Sequence, residues 1–174
     1  LNKESYKARM VAGYCWDWKG KKNPEVEDVK IPEYEFSMRW NLDKDGSLWL
    51  VAKDSVSEIG CIHTCQGLEL DYVGVVIGED LVVRNGEVAT DARKRSSQDR
   101  SIRGFKSMLK TDPETALATA DRIIKNTYRT LMTRGQKGCF LFCVDSETNE
   151  YFRQFLTYRH PEASWLKVAE PRPD

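Results

Sequence analysis

The segment that most constrains the fold is an uncharged run from Tyr72 to Gly78 that is rich in valine and isoleucine. Such a run is typical of a strand buried on both faces, as strands of parallel sheets are. It is far shorter than the ~20 apolar residues that cross a bilayer, so we exclude a membrane-spanning segment. The 174 residues of the chain suffice for one domain built around this strand.

Three further patterns predict the elements around this strand. Residues 59–63 are expected to form a short strand, and Asn85-Gly86 between β-forming residues predicts a hairpin over 81–89. Asp112-Pro113-Glu114 supplies a capping acceptor, a proline and an acid, so a helix should begin there and run to Arg134. Strands that alternate with helices predict an α/β domain with a mainly parallel sheet.

The rest of the chain gives weaker signals. The acidic segment 24–45 is expected to be an insertion or flanking arm, and Leu117, Ala120, Ile124, Tyr128 and Leu131 form the predicted core stripe of the long helix. Further expectations are a buried strand in 9–18, possible strands at 35–40 and 48–51, a polar loop leading to a weak helix in 91–110, a strand at 139–144 and a helix at 147–158.

Charge is balanced overall but uneven along the chain. There are 27 basic and 27 acidic residues, which excludes a polybasic nucleic-acid binder of the histone type. Basic residues cluster in the segment 84–110, where a stripe that binds a nucleic-acid backbone and a solvated charged loop are both compatible with the sequence. The candidate backbone-binding residues are Arg93, Lys94, Arg95, Arg100 and Arg103. Trp16, Trp18 and Trp40 are candidates for stacking on bases or for packing in the core.

The five cysteines indicate a reducing environment. Their number is odd and the chain shows no secretory signal, so we expect reduced thiols and a cytoplasmic location. Cys61, Cys65, Cys139 and Cys143 have spacings that a four-thiolate zinc site could use. Buried, unreactive thiols are the favoured alternative, because the second pair lies in an apolar strand.

Several catalytic motifs are absent from the sequence. There is no P-loop of the form Gly, four residues, Gly-Lys-Ser/Thr, so the chain alone is not expected to hydrolyse ATP. There is also no Gly-x-Ser-x-Gly elbow and no His-Glu-x-x-His metal helix. These absences disfavour a self-contained hydrolase.

Two segments resemble helicase motifs, and each lies in the expected secondary-structure context. Residues 62–69, with the sequence Ile-His-Thr-Cys-Gln-Gly-Leu-Glu, precede the buried strand and resemble motif V of superfamily 1 helicases. Met132-Thr133-Arg134-Gly135, before the strand at 139–144, resembles motif VI. Together with 9–18 and 59–67, these segments resemble the Schlafen-group-3-like DNA/RNA helicase domain, the domain-of-unknown-function family 2075, over about residues 9–156.

This resemblance implies that the chain is the C-terminal half of the helicase domain. It would be a second RecA-like lobe, with a three-layer α/β/α fold and a β-hairpin insertion, spanning 1–174 as one domain with flanking tails at 1–8 and 160–174. The P-loop and the acid that binds Mg²⁺ would lie on a preceding lobe, so ATP and Mg²⁺ would bind only when that lobe is present. The implied partners are that lobe and single-stranded DNA or RNA.

The resemblance also assigns roles to individual residues. Arg134 matches the motif VI arginine finger that contacts the ATP γ-phosphate, and Thr133 precedes it in the nucleotide site. Gln66 and Gly67 match the turn near phosphate, and Glu69 matches the acid that binds the ribose. His63 and Thr64 match positions near the nucleic-acid path. The alternatives are a helix-end cation for Arg134, a solvated acid for Glu69 and a structural histidine for His63.

The sequence departs from the helicase pattern at two positions. Cys61 replaces a common threonine, which puts a contact to the bound strand in doubt. Cys15-Trp16-Asp17-Trp18 stands where many members have a second phosphate-sensing arginine, for which Arg9 is a weak substitute. A non-catalytic RecA-like binding or regulatory module is therefore the alternative function. Under the helicase interpretation, the motif V turn and Arg134 should share one sheet edge, expected at the carboxyl ends of the strands.

Overall fold

The computed structural model describes residues 7–20, 23, 25–40, 49–50 and 52–159. The strands in these ranges are β1 (Ala8–Ala12), β2 (Val29–Ile31), β3 (Phe36–Trp40), β4 (Glu58–Gly60), β5 (Leu70–Ile77), β6 (Leu81–Arg84), β7 (Glu87–Thr90) and β8 (Gly135–Cys143). The α-helices are α1 (Ile62–Cys65), α2 (Phe105–Thr111), α3 (Pro113–Met132) and α4 (Ser146–Arg159).

Six strands form one sheet in the order β2-β3-β4-β1-β5-β8. All neighbouring pairs are parallel except β2 with β3, and Met10 of β1 lies between Ile59 of β4 and Gly74 of β5. Strands β6 and β7 form a separate antiparallel hairpin, whose turn residues Asn85 and Gly86 both have positive φ. The predictions of a mainly parallel α/β domain and of a hairpin are confirmed.

The larger hydrophobic cluster lies between the sheet and the long helix. Val73, Val75 and Ile77 of β5 pack there with Ile124 and the other buried residues of α3. The helix begins as predicted, because the Asp112 carboxylate accepts a hydrogen bond from the Thr115 amide at 3.1 Å. The predicted core stripe is wrong at Leu117, which is 57% exposed, and Ala116 is buried one position earlier. That position continues the four-residue spacing of the core face.

The opposite face of the sheet carries a second cluster that contains no helical residue. Ala12, Ile59 and Val76 of the sheet pack there with buried residues of β2 and β3, which include Val29 and Trp40. The segment expected to be an insertion or arm therefore extends the sheet and supplies core. Since α1 to α4 all contribute to the first cluster, the described part of the chain has its helical layer on one face. The α/β class is as predicted, but the second helical layer of the expected three-layer α/β/α arrangement is not found in these residues, because β2 and β3 supply the core of the other face.

Local differences from the sequence-based expectations have local causes. The strand expected at 59–63 ends at Gly60, and α1 follows because the Thr64 hydroxyl bonds to the backbone N–H and carbonyl of Cys61 at 2.7 and 2.8 Å. Of the strand expected at 48–51, the described residues 49–50 form a turn. Ala8 belongs to β1 and not to a tail, whereas the expected tail 160–174 lies outside the described residues.

All five cysteines are free thiols. Cys139 is exposed, contrary to the expectation of buried thiols, because β8 is the outermost strand of the sheet; Phe140 beside it is 49% exposed. In the described ranges, no three His, Cys, Asp or Glu side chains are grouped so as to hold a metal ion. No helix in those ranges combines the length and the hydropathy needed to cross a membrane.

Candidate nucleotide and nucleic-acid sites

The motif V turn and Arg134 meet where β5 and β8 begin. Leu70 and Gly135, the first residues of these strands, are register partners, and the Leu70 amide donates a hydrogen bond to the Arg134 carbonyl at 3.0 Å. We call residues 66–71 and 133–138 the amino edge. Both segments share one edge, but it is the amino edge of β5 and β8 and not the expected carboxyl edge, because each segment leads into the start of its strand.

Two hydrogen bonds hold Arg134 at the end of α3. Its amide donates to the Leu131 carbonyl at 3.2 Å and its Nε to the Thr130 carbonyl at 3.1 Å, so the residue closes the end of α3. Within the described ranges, the two Nη atoms make no hydrogen bond or ion pair. A cation is favourable at a helix C-terminus, and two paired N–H donors suit an oxyanion such as phosphate.

The turn opposite Arg134 is exposed and leaves space near its backbone. Gln66, Gly67 and Glu69 are all exposed, and Gly67 has φ +76° with open space within 4 Å of where a Cβ would lie. The Arg134 charge acts on Cys65 at the start of this turn, although burial raises the pKa of that thiol to about 11. Thr133 is exposed, and its hydroxyl donates to the Thr130 carbonyl at 3.1 Å.

The other motif V residues lie toward the carboxyl ends of β1 and β4. The exposed His63 ring lies 6.4 Å, centroid to centroid, from the Tyr14 ring, which follows β1. Burial is the main cause that raises the Tyr14 pKa to about 12, and the charges of Asp99 and Arg100 also act on this hydroxyl. The Thr64 hydroxyl is engaged with Cys61, so Thr64 shapes α1 in this structure.

The residues of the predicted basic stripe differ in burial and in whether they form ion pairs. The assignment of Arg95 to a nucleic-acid surface is wrong, since its side chain is 1% exposed and pairs with Asp80 at 2.9 Å and Asp99 at 2.5 Å. Arg93 pairs with Asp91 at 2.8 Å and Lys94 with Glu79 at 2.7 Å, and both cations are exposed. Arg100 and Arg103 are also exposed, and their side chains form no hydrogen bond or ion pair in the described part of the chain.

A buried polar network lies beneath the segment 95–104, which we call the carboxyl-edge loop. The Tyr128 hydroxyl donates to the Asp80 carboxylate at 2.5 Å and accepts from the Gly78 amide at 3.0 Å. Burial raises the pKa of Tyr128, so its phenol remains a donor. Sequence analysis did not identify this network, although an acid just after a buried strand and the spacing of four between Arg95 and Asp99 are signals of it.

Two other sequence-based candidates are occupied by structural contacts. Arg9 donates to the Leu50 carbonyl at 2.7 Å and to the Ser55 hydroxyl at 3.0 Å, so it does not replace a phosphate-sensing arginine. Trp40 is 1% exposed and contacts the Tyr14 and Trp16 rings, which excludes base stacking by Trp40.

Comparison with known proteins identifies the family. No solved structure gives a significant match. The protein named "Uncharacterized protein YPL245W" of Saccharomyces cerevisiae is 28% identical over 117 residues, which are 66% of this chain and 25% of that protein. The matched region thus spans a quarter of that relative's length. Residues 1–145 match the family described as "Schlafen group 3, DNA/RNA helicase domain". This chain therefore belongs to the Schlafen group 3 family of DNA/RNA helicase domains.

Proposed function

We propose that this chain is the second RecA-like lobe of an ATP-dependent DNA or RNA helicase or translocase. In this proposal Arg134 acts on ATP bound to a preceding P-loop lobe. The observation that carries the proposal is that Arg134, whose Nη atoms are unpaired among the described residues, shares the amino edge with the open turn at Gly67 through the Leu70 hydrogen bond.

The chemistry at the amino edge follows from charge. Negative charge develops on the transferred phosphoryl group, and an arginine fork stabilises it where water is excluded. Gly67 lets phosphate approach the backbone because it has no Cβ. Gln66 and Thr133 supply polar atoms beside it, and the Glu69 carboxylate can accept a hydrogen bond from a ribose hydroxyl.

ATP is the substrate in this proposal, and Mg²⁺ would accompany it. The described part of this chain offers no cluster of carboxylates suited to a hard cation. We therefore assign Mg²⁺ binding to the preceding lobe. When bound there, the ion would neutralise phosphate charge, while Arg134 supplies a cation from the opposite side.

We assign single-stranded nucleic acid to the carboxyl-edge loop and the neighbouring end of α1. Arg100, Arg103 and the exposed His63 have groups available to phosphate or bases. Arg93 and Lys94 would have to leave their carboxylate partners, so we expect smaller contributions from them. Phosphate contacts release counterions, so binding should weaken steeply with salt.

The test of the nucleotide site is Arg134→Ala in the full-length protein, measured as nucleic-acid-stimulated ATP turnover. Arginine fingers contribute on the order of 10³ to 10⁵ in rate, so turnover should be nearly abolished. ATP affinity should change little, because the finger meets charge that grows only in the transition state. Arg134→Lys should rescue little, since an ammonium lacks the planar fork.

Arg129→Ala is the matched control, because Arg129 is an exposed arginine in the last turn of the same helix. It should retain normal turnover, and circular dichroism should show that all three variants fold. Near-normal turnover in folded Arg134→Ala would overturn the proposal and favour a non-catalytic binding module.

Two further expectations accompany this proposal. The chain without its preceding lobe should not hydrolyse ATP, because most phosphate contacts would be missing. A cytoplasmic location remains a prediction from cysteine usage. Hydrolysis by the highly purified chain that is lost in Arg134→Ala would contradict the lobe assignment, because the activity would then belong to this chain alone.

A further inference from the structure

One buried carboxylate contacts both the long helix and the carboxyl-edge loop. Asp80 follows β5 and is fully buried, with one oxygen accepting from the Tyr128 hydroxyl at 2.5 Å and the other from Arg95 Nη1 at 2.9 Å. The Arg95 side chain is 1% exposed, and Tyr128 as a whole residue is also 1% exposed. Helix α3 and the loop are therefore joined through two hydrogen bonds that share one acceptor group.

On the side of the carboxyl-edge loop, the hydrogen bonds through Asp80 extend to the proposed nucleic-acid surface. Arg95 begins the carboxyl-edge loop, and Asp99 accepts from both Arg95 and the Ser101 amide, so the ion pair continues to the residues around Arg100. The Ser96 amide also donates to the Tyr14 carbonyl at 2.8 Å. A displacement of Arg100 by a bound phosphate would thus act on a segment that is bonded directly to Asp80.

On the side of helix α3, the hydrogen bonds through Asp80 are connected to the proposed nucleotide site. Tyr128 lies in α3, six residues before Arg134, and Ile124 and Leu131 of the same helix pack against the sheet. A packed helix transmits a displacement along its axis because its own hydrogen bonds resist deformation. Tyr128 reaches Asp80 over Gly13, where a Cβ would lie 2.1 Å from the phenol oxygen. The contact therefore depends on a glycine at that position.

We propose that the Arg95–Asp80–Tyr128 hydrogen-bond network couples nucleic-acid binding at the carboxyl-edge loop to the position of Arg134, with Tyr128 as a positioning residue. The proposal rests on the function proposed above. In a buried network an unpaired charge is costly, so Arg95 and Asp80 move together, and Tyr128 follows through the other carboxylate oxygen. Nucleic acid would then change the position of α3 and with it the reach of Arg134 toward ATP.

The experiment measures the ratio of ATP turnover with and without single-stranded oligonucleotide in the full-length protein carrying Tyr128→Phe. Coupling free energies between sites correspond to roughly 5- to 150-fold effects, so the ratio should fall by at least about fivefold. Thr127→Val is the matched control, because it removes the adjacent buried hydroxyl, which donates only to the Ile123 carbonyl at 2.9 Å. It should retain the wild-type ratio.

The outcomes separate this proposal from the one on which it rests. A wild-type ratio in folded Tyr128→Phe, with turnover abolished by Arg134→Ala, overturns the coupling and leaves the proposed function intact. Equal losses of the ratio in Tyr128→Phe and Thr127→Val also overturn it, since the effect would then be a general loss of packing.

A second measurement, made on the wild-type protein, tests the proposal if the Tyr128→Phe variant does not fold. In the wild-type protein, the Gly78 amide donates to the Tyr128 oxygen, so its hydrogen exchange reports on this contact. Exchange should change when oligonucleotide binds, in proportion to occupancy of the site. An exchange rate that is the same with and without saturating oligonucleotide would rule out the proposed coupling.

Discussion

The amino edge and the carboxyl edge of this sheet differ in how many polar groups they satisfy internally. At the carboxyl edge, Asp80, Arg95 and Tyr128 are buried and bonded to one another. At the amino edge, Gly67 lies in open space and the Arg134 Nη atoms have no partner in the described part of the chain. Groups that are satisfied internally stabilise the fold, whereas groups left available can bind a substrate. The contrast predicts that loss of Arg95 affects stability far more than loss of Arg134 does.

The largest expected effect on stability is at Arg95. Arg95→Ala would leave the Asp80 and Asp99 carboxylates buried without their cation, and breaking such a pair costs about 3–5 kcal/mol. Arg134→Ala should change the free energy of unfolding by less than about 1 kcal/mol, because its Nη atoms hold nothing in place among the described residues. Urea denaturation of both variants gives the comparison. Equal destabilisation would contradict the assigned difference between the two edges.

A smaller effect is expected from glycines at the two edges. Gly13→Ala should destabilise by about 1–3 kcal/mol, because its Cβ would overlap the Tyr128 ring, whose Cζ lies 2.6 Å from that position. Gly67→Asn should cost under about 1 kcal/mol, because asparagine tolerates a left-handed backbone and the site is open. Thermal unfolding distinguishes the two. A neutral Gly13→Ala would show that the helix is less closely packed than described.

The smallest expected effect concerns acid. Hydrogen bonds from Arg84, at 2.6 and 2.8 Å, hold the pKa of Asp145 well below its usual range. A Lys137 contact lowers the pKa of the half-buried Asp71 less strongly. A carboxylate whose pKa is lower in the folded state stabilises the fold at pH values above its unfolded-state pKa of about 3.9. This stabilisation is lost as the pH falls toward the folded-state pKa. Denaturation midpoints between pH 5 and pH 2 should therefore fall less in Asp145→Asn than in Asp71→Asn. The reverse order would count against the Arg84 contact.

Short-range signals predict much of the fold. Asn85-Gly86 predicts the hairpin and Asp112-Pro113 predicts the start of α3, because turn and cap chemistry act within a few residues. The sequence does not reveal that β2 and β3 extend the sheet, since β3 pairs with β4 across a chain segment that carries no local signal of the pairing. Pairing between distant strands depends on burial that only the assembled fold provides.

The sequence predicts that the candidate site residues share one edge of the sheet, but not which edge. The motif V turn and Arg134 are expected at one edge, and they meet there through the Leu70 hydrogen bond. Which edge they share depends on strand direction relative to each segment, and the general rule for ligands at carboxyl ends predicts the wrong one. The sequence predicts a surface cation at Arg95 because one of its partners, Asp80, lies 15 residues away, and the spacing of four to Asp99 does not by itself indicate burial.

The position of β8 as the last strand has a practical consequence for handling the protein. In the described part of the chain, its outer edge has no strand neighbour, and Phe140 on this strand is 49% exposed. An unpaired strand edge next to an apolar side chain is a template on which a strand from another molecule can add. Concentrated samples of this chain should therefore self-associate, and a charged substitution such as Phe140→Lys should raise the concentration at which light scattering first increases.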